Sequence, residues 1–148
     1  MEMLLFMGAQ GAGKSTFYRE RLFDTHVRVN LDMLATRHRE KLLLLACFQM
    51  KQRFVVDNTN PTREQRAGYI ALARIHGFAV VGYCFESPLE DLRSRNAQRS
   101  GKARVPDVAI LSTLKKFEHP SPGEGFDRLY RVDTHDGTCT VTEYPHEV

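Results

Sequence analysis

The sequence predicts an α/β fold: a five-stranded, mostly parallel sheet flanked by helices, with a short helical lid and a late extra strand. Three observations lead there. Short apolar bursts alternate with amphipathic stretches along the chain, the pattern that strand–helix–strand crossovers produce. The first burst runs directly into a glycine-rich turn and then a helical stretch. The length of 148 residues, 42% hydrophobic and 26% charged, suits one domain with a real core and is short for two, so residues 1–148 are read as one unit.

The elements follow in order. Met3–Met7 is apolar throughout and reads as a buried strand, with a helix over Ser15–Phe23 after the glycine-rich turn. The opening MEMLLFMG has no basic leader or small-residue cleavage site, so no signal peptide is expected. Further strands are expected at His26–Asn30, Arg53–Asp57, Ala79–Glu86 and Arg128–Asp133, and a polar-alternating one near Thr138–Tyr144. Thr62 with Gln65 forms a capping box, and Gly77 is placed to stop the helix it opens. Ser87-Pro88-Leu89-Glu90 reads as a second box, Ser87 capping and Pro88 in the first helical position. Ile110, Leu111, Leu114 and Phe117 recur at helical spacing and are expected in the core, and Asp133–Gly137 reads as a turn.

Composition narrows the function. No apolar run approaches the roughly 20 residues that span a bilayer, so no membrane partner is expected. Cys47, Cys84 and Cys139 are widely spaced with no CxxC pair, which argues against a disulfide framework or zinc site and fits a reducing cytoplasm. The net charge of +3 is compatible with a phosphate-rich partner.

Gly8-Ala9-Gln10-Gly11-Ala12-Gly13-Lys14-Ser15 matches GxxxxGK[ST] between a strand and a helix, the context a phosphate-binding loop requires. Small residues let backbone N–H groups curl around phosphate oxygens, and the following helix adds its positive end. Lys14 should reach the β- and γ-phosphates of ATP, and Ser15 should ligate Mg²⁺, with Thr16 completing the loop segment. The fold is then that of the P-loop NTPases. Asp32 follows the strand-like Val27–Asn30, at the carboxyl edge where ligands bind in parallel sheets; composition leaves it open between a helix cap and a base for an attacking hydroxyl. Asp57 ends an apolar strand and is read as a Mg²⁺ partner or a strand-end turn residue. Arg93, Arg95, Arg99, Lys102 and Arg104 put five cations within twelve residues, with Gly101 at a bend: a solvated face, or a lid that brings arginine over the transferring phosphate.

The array GAQGAGKST, VNLD, DNTNP, RNAQRSGKARVP and EGFDRLYRV resembles the 5′-kinase domain of polynucleotide kinases of phage and animal type, in order from about Met3 to Val132. The resemblance implies transfer of the γ-phosphate of ATP, with Mg²⁺, to a 5′-hydroxyl of DNA or RNA in nucleic-acid end repair. It implies phosphate-loop roles for Lys14 and Ser15, a general base at Asp32 and a donor-phosphate lid arginine at Arg99. It also places Asp57 and Asn60 near the metal and acceptor. Two positions depart from the family pattern: Leu31 stands where Arg is usual before the base, and Ala35 where the phage type has its substrate arginine. Arg37 and Arg39 are the cations that could replace it. End-repair phosphatase or ligase activity is expected on a separate chain. Two other readings stay open: a P-loop kinase of a small hydroxylated molecule (nucleoside, sugar or antibiotic), and an ATP-binding switch without catalysis, which would need no base at Asp32.

Overall fold

The computed structural model describes residues 1–101, 104–135 and 137–145. The N-terminal apolar run forms β1 (Glu2–Met7), and the glycine-rich loop leads into α1 (Lys14–Arg21). There follow β2 (Val27–Val29), α2 (Leu31–Leu34), α3 (Arg37–Met50), β3 (Phe54–Val56), α4 (Arg63–Ile75) and β4 (Ala79–Glu86). The last elements are α5 (Leu89–Ala97), α6 (Asp107–Lys116), a 3-10 turn at Pro122–Glu124, β5 (Arg128–His135) and β6 (Thr138–Glu143). They build one six-stranded sheet in the order β2-β3-β1-β4-β5-β6. Its first five strands are parallel and β6 returns antiparallel along β5, as the alternating pattern predicts.

Alternation along β1 decides what lies on each face. Met3, Leu5 and Met7 join Val29, Phe54, Val56 and Val80 beneath α3 and α4, whose Leu44, Phe48, Tyr69 and Ile70 close that layer. Leu4 and Phe6 point the other way, to Phe17 and Tyr18 of α1, Leu92 of α5 and Ile110 of α6. All of β1 from Met3 to Met7 is at most 1% exposed, and each such large side chain contributes about 1.5–3 kcal/mol on burial. A strand covered on both faces is what a continuous apolar run encodes. Among the described residues no helix is long and apolar enough to cross a membrane.

Several local readings need correction. The α5 helix starts at Leu89, and Ser87 does not cap it: its hydroxyl is bonded instead to the Thr134 carbonyl and hydroxyl on β5. Leu111 and Leu114 are each 40% exposed, because α6 packs through Ile110 and Thr113 and turns the other face outward. The expected turn at Asp133–Gly137 is shorter, since β5 continues to His135 through its pairing with Thr138; Asp136 lies outside the described residues. Helix α1 stops at Arg21 rather than Phe23. Thr62 does cap α4, accepting from the Gln65 N–H at 3.2 Å, and Gly77 at φ +72° follows that helix's end.

Candidate active site

The loop after β1 is shaped by close contacts that only glycine tolerates. A Cβ on Gly8 would lie 2.9 Å from the Phe85 carbonyl oxygen, and one on Gly11 2.9 Å from that of Leu92, with positive φ at both. Two side chains from neighbouring elements hold the loop from outside. Arg95 of α5 donates to the Gly11 carbonyl at 2.7 Å, and also to the Ser87 and Thr134 hydroxyls at 3.2 Å. Thr134 donates to the Ala12 carbonyl at 2.9 Å. Arg95 therefore positions the loop, a role its place in a charge cluster gave no means to foresee.

Lys14 opens α1 and curls back over the loop, donating to the Gly8 carbonyl at 2.6 Å and the Ala9 carbonyl at 2.9 Å. Burial holds its ammonium down, from 10.5 to about 8, with Asp57 and Asp32 pulling up and Arg99 pushing down. Those three groups are thus the charged neighbours of the loop lysine. Among the described residues, Gln10 Oε1 in this same loop is the one buried side-chain polar atom left without a partner.

Ser15, also on the first turn of α1, donates to Asp57 Oδ2 at 3.0 Å. Asp57 sits where β3 ends beside β1 and is 2% exposed. Arg28 of β2 reaches the same pair, its Nε donating to Asp57 Oδ2 at 2.8 Å and its Nη2 to Ser15 Oγ at 2.9 Å. A hydroxyl and a buried carboxylate side by side are the oxygen donors expected for Mg²⁺ in a phosphate loop, so these residues fit that ion. Among the described residues no group of three His, Cys, Asp or Glu could hold a metal; phosphate and water oxygens would complete the shell.

The cap of α2 is Asn30, whose Oδ1 accepts from the Met33 N–H at 2.9 Å. Asp32 is therefore not the capping residue: it is exposed on the first turn of α2 and lines the cleft. Asn30 also donates to the Asp57 carbonyl at 2.6 Å, and Asn58 Oδ1 accepts from the Leu31 N–H at 2.9 Å. The strand-end turn after β3 thereby fixes the backbone that carries Asp32.

One cavity of about 640 Å³ runs from the loop to the space between α3 and α4. Gln10–Ser15, Asp32, Asp57 and Arg99 line its loop end; Arg37, Glu40, Leu44, Tyr69 and Leu72 line the other. At that far end the buried Glu40 accepts from Arg37 at 3.0 Å, Tyr69 at 2.9 Å and Asn58 at 3.2 Å. Burial pushes the Tyr69 hydroxyl up to about 12, so it stays a donor. Asn60 is 5% exposed and lines the cavity, but its amide is committed to the Phe6 carbonyl at 2.7 Å. Its own carbonyl accepts from the fully buried Arg66, which also donates to the Glu118 backbone carbonyl and the Glu124 carboxylate and so ties the turn to the tail. Arg39 donates to the Leu34 carbonyl at 3.4 Å and is not among the residues lining the cavity. Thr16 is exposed outside the cleft, while Gly8 and Ala9 line a second cavity of about 230 Å³ behind the loop.

The arginine-rich segment divides by role. Arg99 follows α5 and lines the cleft; Arg93 is exposed; Lys102 lies outside the described residues. The buried Asn96 clasps the far side of this segment, donating to the Val105 carbonyl at 2.6 Å and accepting its N–H at 2.9 Å.

A family model described as an AAA domain matches residues 3–120. Among curated proteins, the chain is 27% identical over 135 residues to a bifunctional polynucleotide phosphatase/kinase of Schizosaccharomyces pombe, over 88% of this chain and 33% of that protein. The chain spans about a third of the length of the curated relatives it matches. Among solved structures, a gluconokinase from Sinorhizobium meliloti 1021 shares the fold at a TM-score of 0.61 and 20% identity, over 89% of this chain and 82% of that one. Kti12 of Chaetomium thermophilum, solved in complex with ADP-AlF3, does so at 0.65 and 15%, over 90% of each chain.

Proposed function

We propose that this chain, which belongs to the AAA-domain family and has the fold of the P-loop kinases, transfers the γ-phosphate of ATP to a 5′-hydroxyl end of DNA or RNA. The observation that supports this most is one cleft lined by Lys14, Asp32, Asp57 and Arg99 at one end and by the Arg37–Glu40–Tyr69 cluster at the other. The relationship to a polynucleotide phosphatase/kinase supports the choice of acceptor.

The chemistry follows from the groups present. The loop amides and Lys14 would hold the β- and γ-phosphates, Lys14 exchanging its two carbonyl partners for phosphate oxygens. Ser15 and Asp57 would hold Mg²⁺, which would supply positive charge to neutralise those phosphates. Asp32 takes the proton as the acceptor O–H bond breaks; the acceptor oxygen bonds to the γ-phosphorus, and the bond to the β-phosphate oxygen breaks to release ADP. Arg99 stabilises the charge on the moving phosphoryl group. Arg37, steadied by Glu40 and Tyr69, would meet an acceptor phosphate; Arg39, the other candidate, does not line the cavity. A separate phosphatase or ligase would act on the same ends, and a cytoplasmic setting with free thiols belongs to the same reading.

Incubation with γ-labelled ATP, Mg²⁺ and 5′-hydroxyl oligonucleotides, beside nucleosides, sugars and aminoglycosides, tests the acceptor. Label in the oligonucleotides is expected. Label only in a small molecule would favour the second reading, a small-molecule kinase, which the apolar wall of Leu44 and Leu72 at the acceptor end also suits.

A further inference from the structure

Ser15 and Asp57 are the proposed holders of a divalent cation, yet a side chain of this protein already sits on both. Alternation along β2 buries Val29 under α3 and α4 and turns Arg28 to the opposite face, toward α1. There its Nε donates to Asp57 Oδ2 at 2.8 Å, and its Nη2 donates to Ser15 Oγ at 2.9 Å. Ser15 donates its own proton to the same Asp57 oxygen at 3.0 Å. The hydroxyl proton is thus spent on Asp57, and a hydroxyl lone pair is engaged by Arg28. A metal bound directly to Ser15 would need such a lone pair, and it would compete for the same carboxylate oxygen.

Electrostatics make this a choice between cations. The Asp57 side chain is 2% exposed, and a carboxylate so buried is costly without a positive partner. Lys14 is a charged neighbour of Asp57 but makes no hydrogen bond to it, its own going to the Gly8 and Ala9 carbonyls. The Arg28 side chain is 28% exposed, so it can turn toward water without the desolvation cost that binds Asp57 in place. A dication arriving alone would have to displace Arg28 and then sit beside its freed charge. A nucleotide brings several negative charges and reverses that balance.

We propose that Arg28 is the resident counter-ion of the metal site: it occupies Ser15 and Asp57 in the free protein and yields them only when nucleotide and Mg²⁺ arrive together. The inference rests on the metal assignment made above. It makes metal binding conditional on nucleotide and keeps the empty loop electrically paired. Arg28 is a positioning residue, acting through Ser15 and Asp57 rather than on the reacting atoms.

The test uses Mn²⁺ as a paramagnetic probe, titrated without nucleotide against the wild-type chain, Arg28→Gln and Arg28→Lys, with free Mn²⁺ read by electron paramagnetic resonance. Arg28→Gln should bind one Mn²⁺ at least about ten-fold tighter than wild type, which is what removing one charge a few ångströms from a dication gives even in a water-like medium. Arg28→Lys keeps the charge and should stay near wild type. With a non-hydrolysable ATP analogue present, all three should bind Mn²⁺. Equal affinity of wild type and Arg28→Gln without nucleotide overturns the inference alone, whereas failure of wild type to bind Mn²⁺ even with the analogue overturns the metal assignment beneath it. Should Arg28→Gln not fold, the wild-type Arg28 Nε–H resonance, assigned by its loss in Arg28→Lys, carries the test. It should be protected from exchange in the free protein and lose protection when Mg²⁺ and the analogue bind; protection retained in the complex refutes the proposal.

Discussion

Replacing Lys14 with Met should make the free protein more stable while removing its nucleotide binding. Lys14 is nearly buried, and burial lowers its ammonium from 10.5 to about 8. A drop of that size corresponds to about 3 kcal/mol held against the folded state when the group is charged. The Gly8 and Ala9 carbonyls lose their donor in the variant, and cleft water replaces it at some cost, leaving a net gain of about 1–3 kcal/mol. For a chain of this size that is a rise in melting temperature of roughly 3–10 °C. The sign in pH follows from linkage. The folded chain binds fewer protons than the unfolded one between about 8 and 10.5, so wild-type stability rises across that window and is lowest below it. Lys14→Met should flatten that rise. Thermal melts at pH 7 and across pH 8–10, with and without Mg²⁺-ATP, read all three effects. A lower melting temperature for Lys14→Met, or a rise with pH identical to wild type, would refute the claim that this lysine is held at a cost for its ligand.

The other perturbations divide between loop, lid and clasp. Arg99→Ala should slow transfer on the order of 10²-fold, the worth of one donor aimed at developing charge, with Arg99→Lys recovering only part because an ammonium lacks the planar fork; Arg93→Ala should be silent, and equal losses that fade with salt would show a diffuse field instead. Asn96→Ala leaves the N–H and carbonyl of Val105 without their partner, at about 1–3 kcal/mol each if they remain dry; limited proteolysis should then cut between residues 97 and 105 faster than in wild type. Gly11→Ala drives a Cβ to 2.9 Å from the Leu92 carbonyl at φ +84°, costing on the order of 1–3 kcal/mol, and calorimetry should show ATP affinity falling with it.

What the sequence made legible was local. The strand–loop–helix start was readable because a both-sided buried strand needs an apolar run and a phosphate loop needs its glycines in fixed places. The six strands were readable because their periods differ from those of the helices between them. What escaped depended on distant partners. Ser87 carries every local sign of a cap, yet Thr134, 47 residues away, takes its hydroxyl. Arg28, between two valines, looks like a solvent-facing strand position until the sheet order brings β3 and α1 to its side. Arg95 and Arg99 are indistinguishable in a charge run, but one turn of helix sends the first to the Gly11 carbonyl and leaves the second lining the cleft. Leu111 and Leu114 satisfy helical spacing, but α6 buries Ile110 and Thr113 instead and leaves both leucines 40% exposed.

The proposed action of Asp32 on an acceptor hydroxyl is tested directly by single-turnover transfer from γ-labelled ATP to a 5′-hydroxyl oligonucleotide in the wild-type and Asp32→Asn chains. Nuclease digestion of the product should place the label in the 5′-terminal nucleotide as its 5′-phosphate. Asp32→Asn should slow that transfer by roughly 10²–10⁴-fold, the usual worth of a positioned base, with ATP affinity nearly unchanged. Transfer at the wild-type rate by Asp32→Asn, or a collapse of ATP affinity with the rate at saturation intact, would contradict the account.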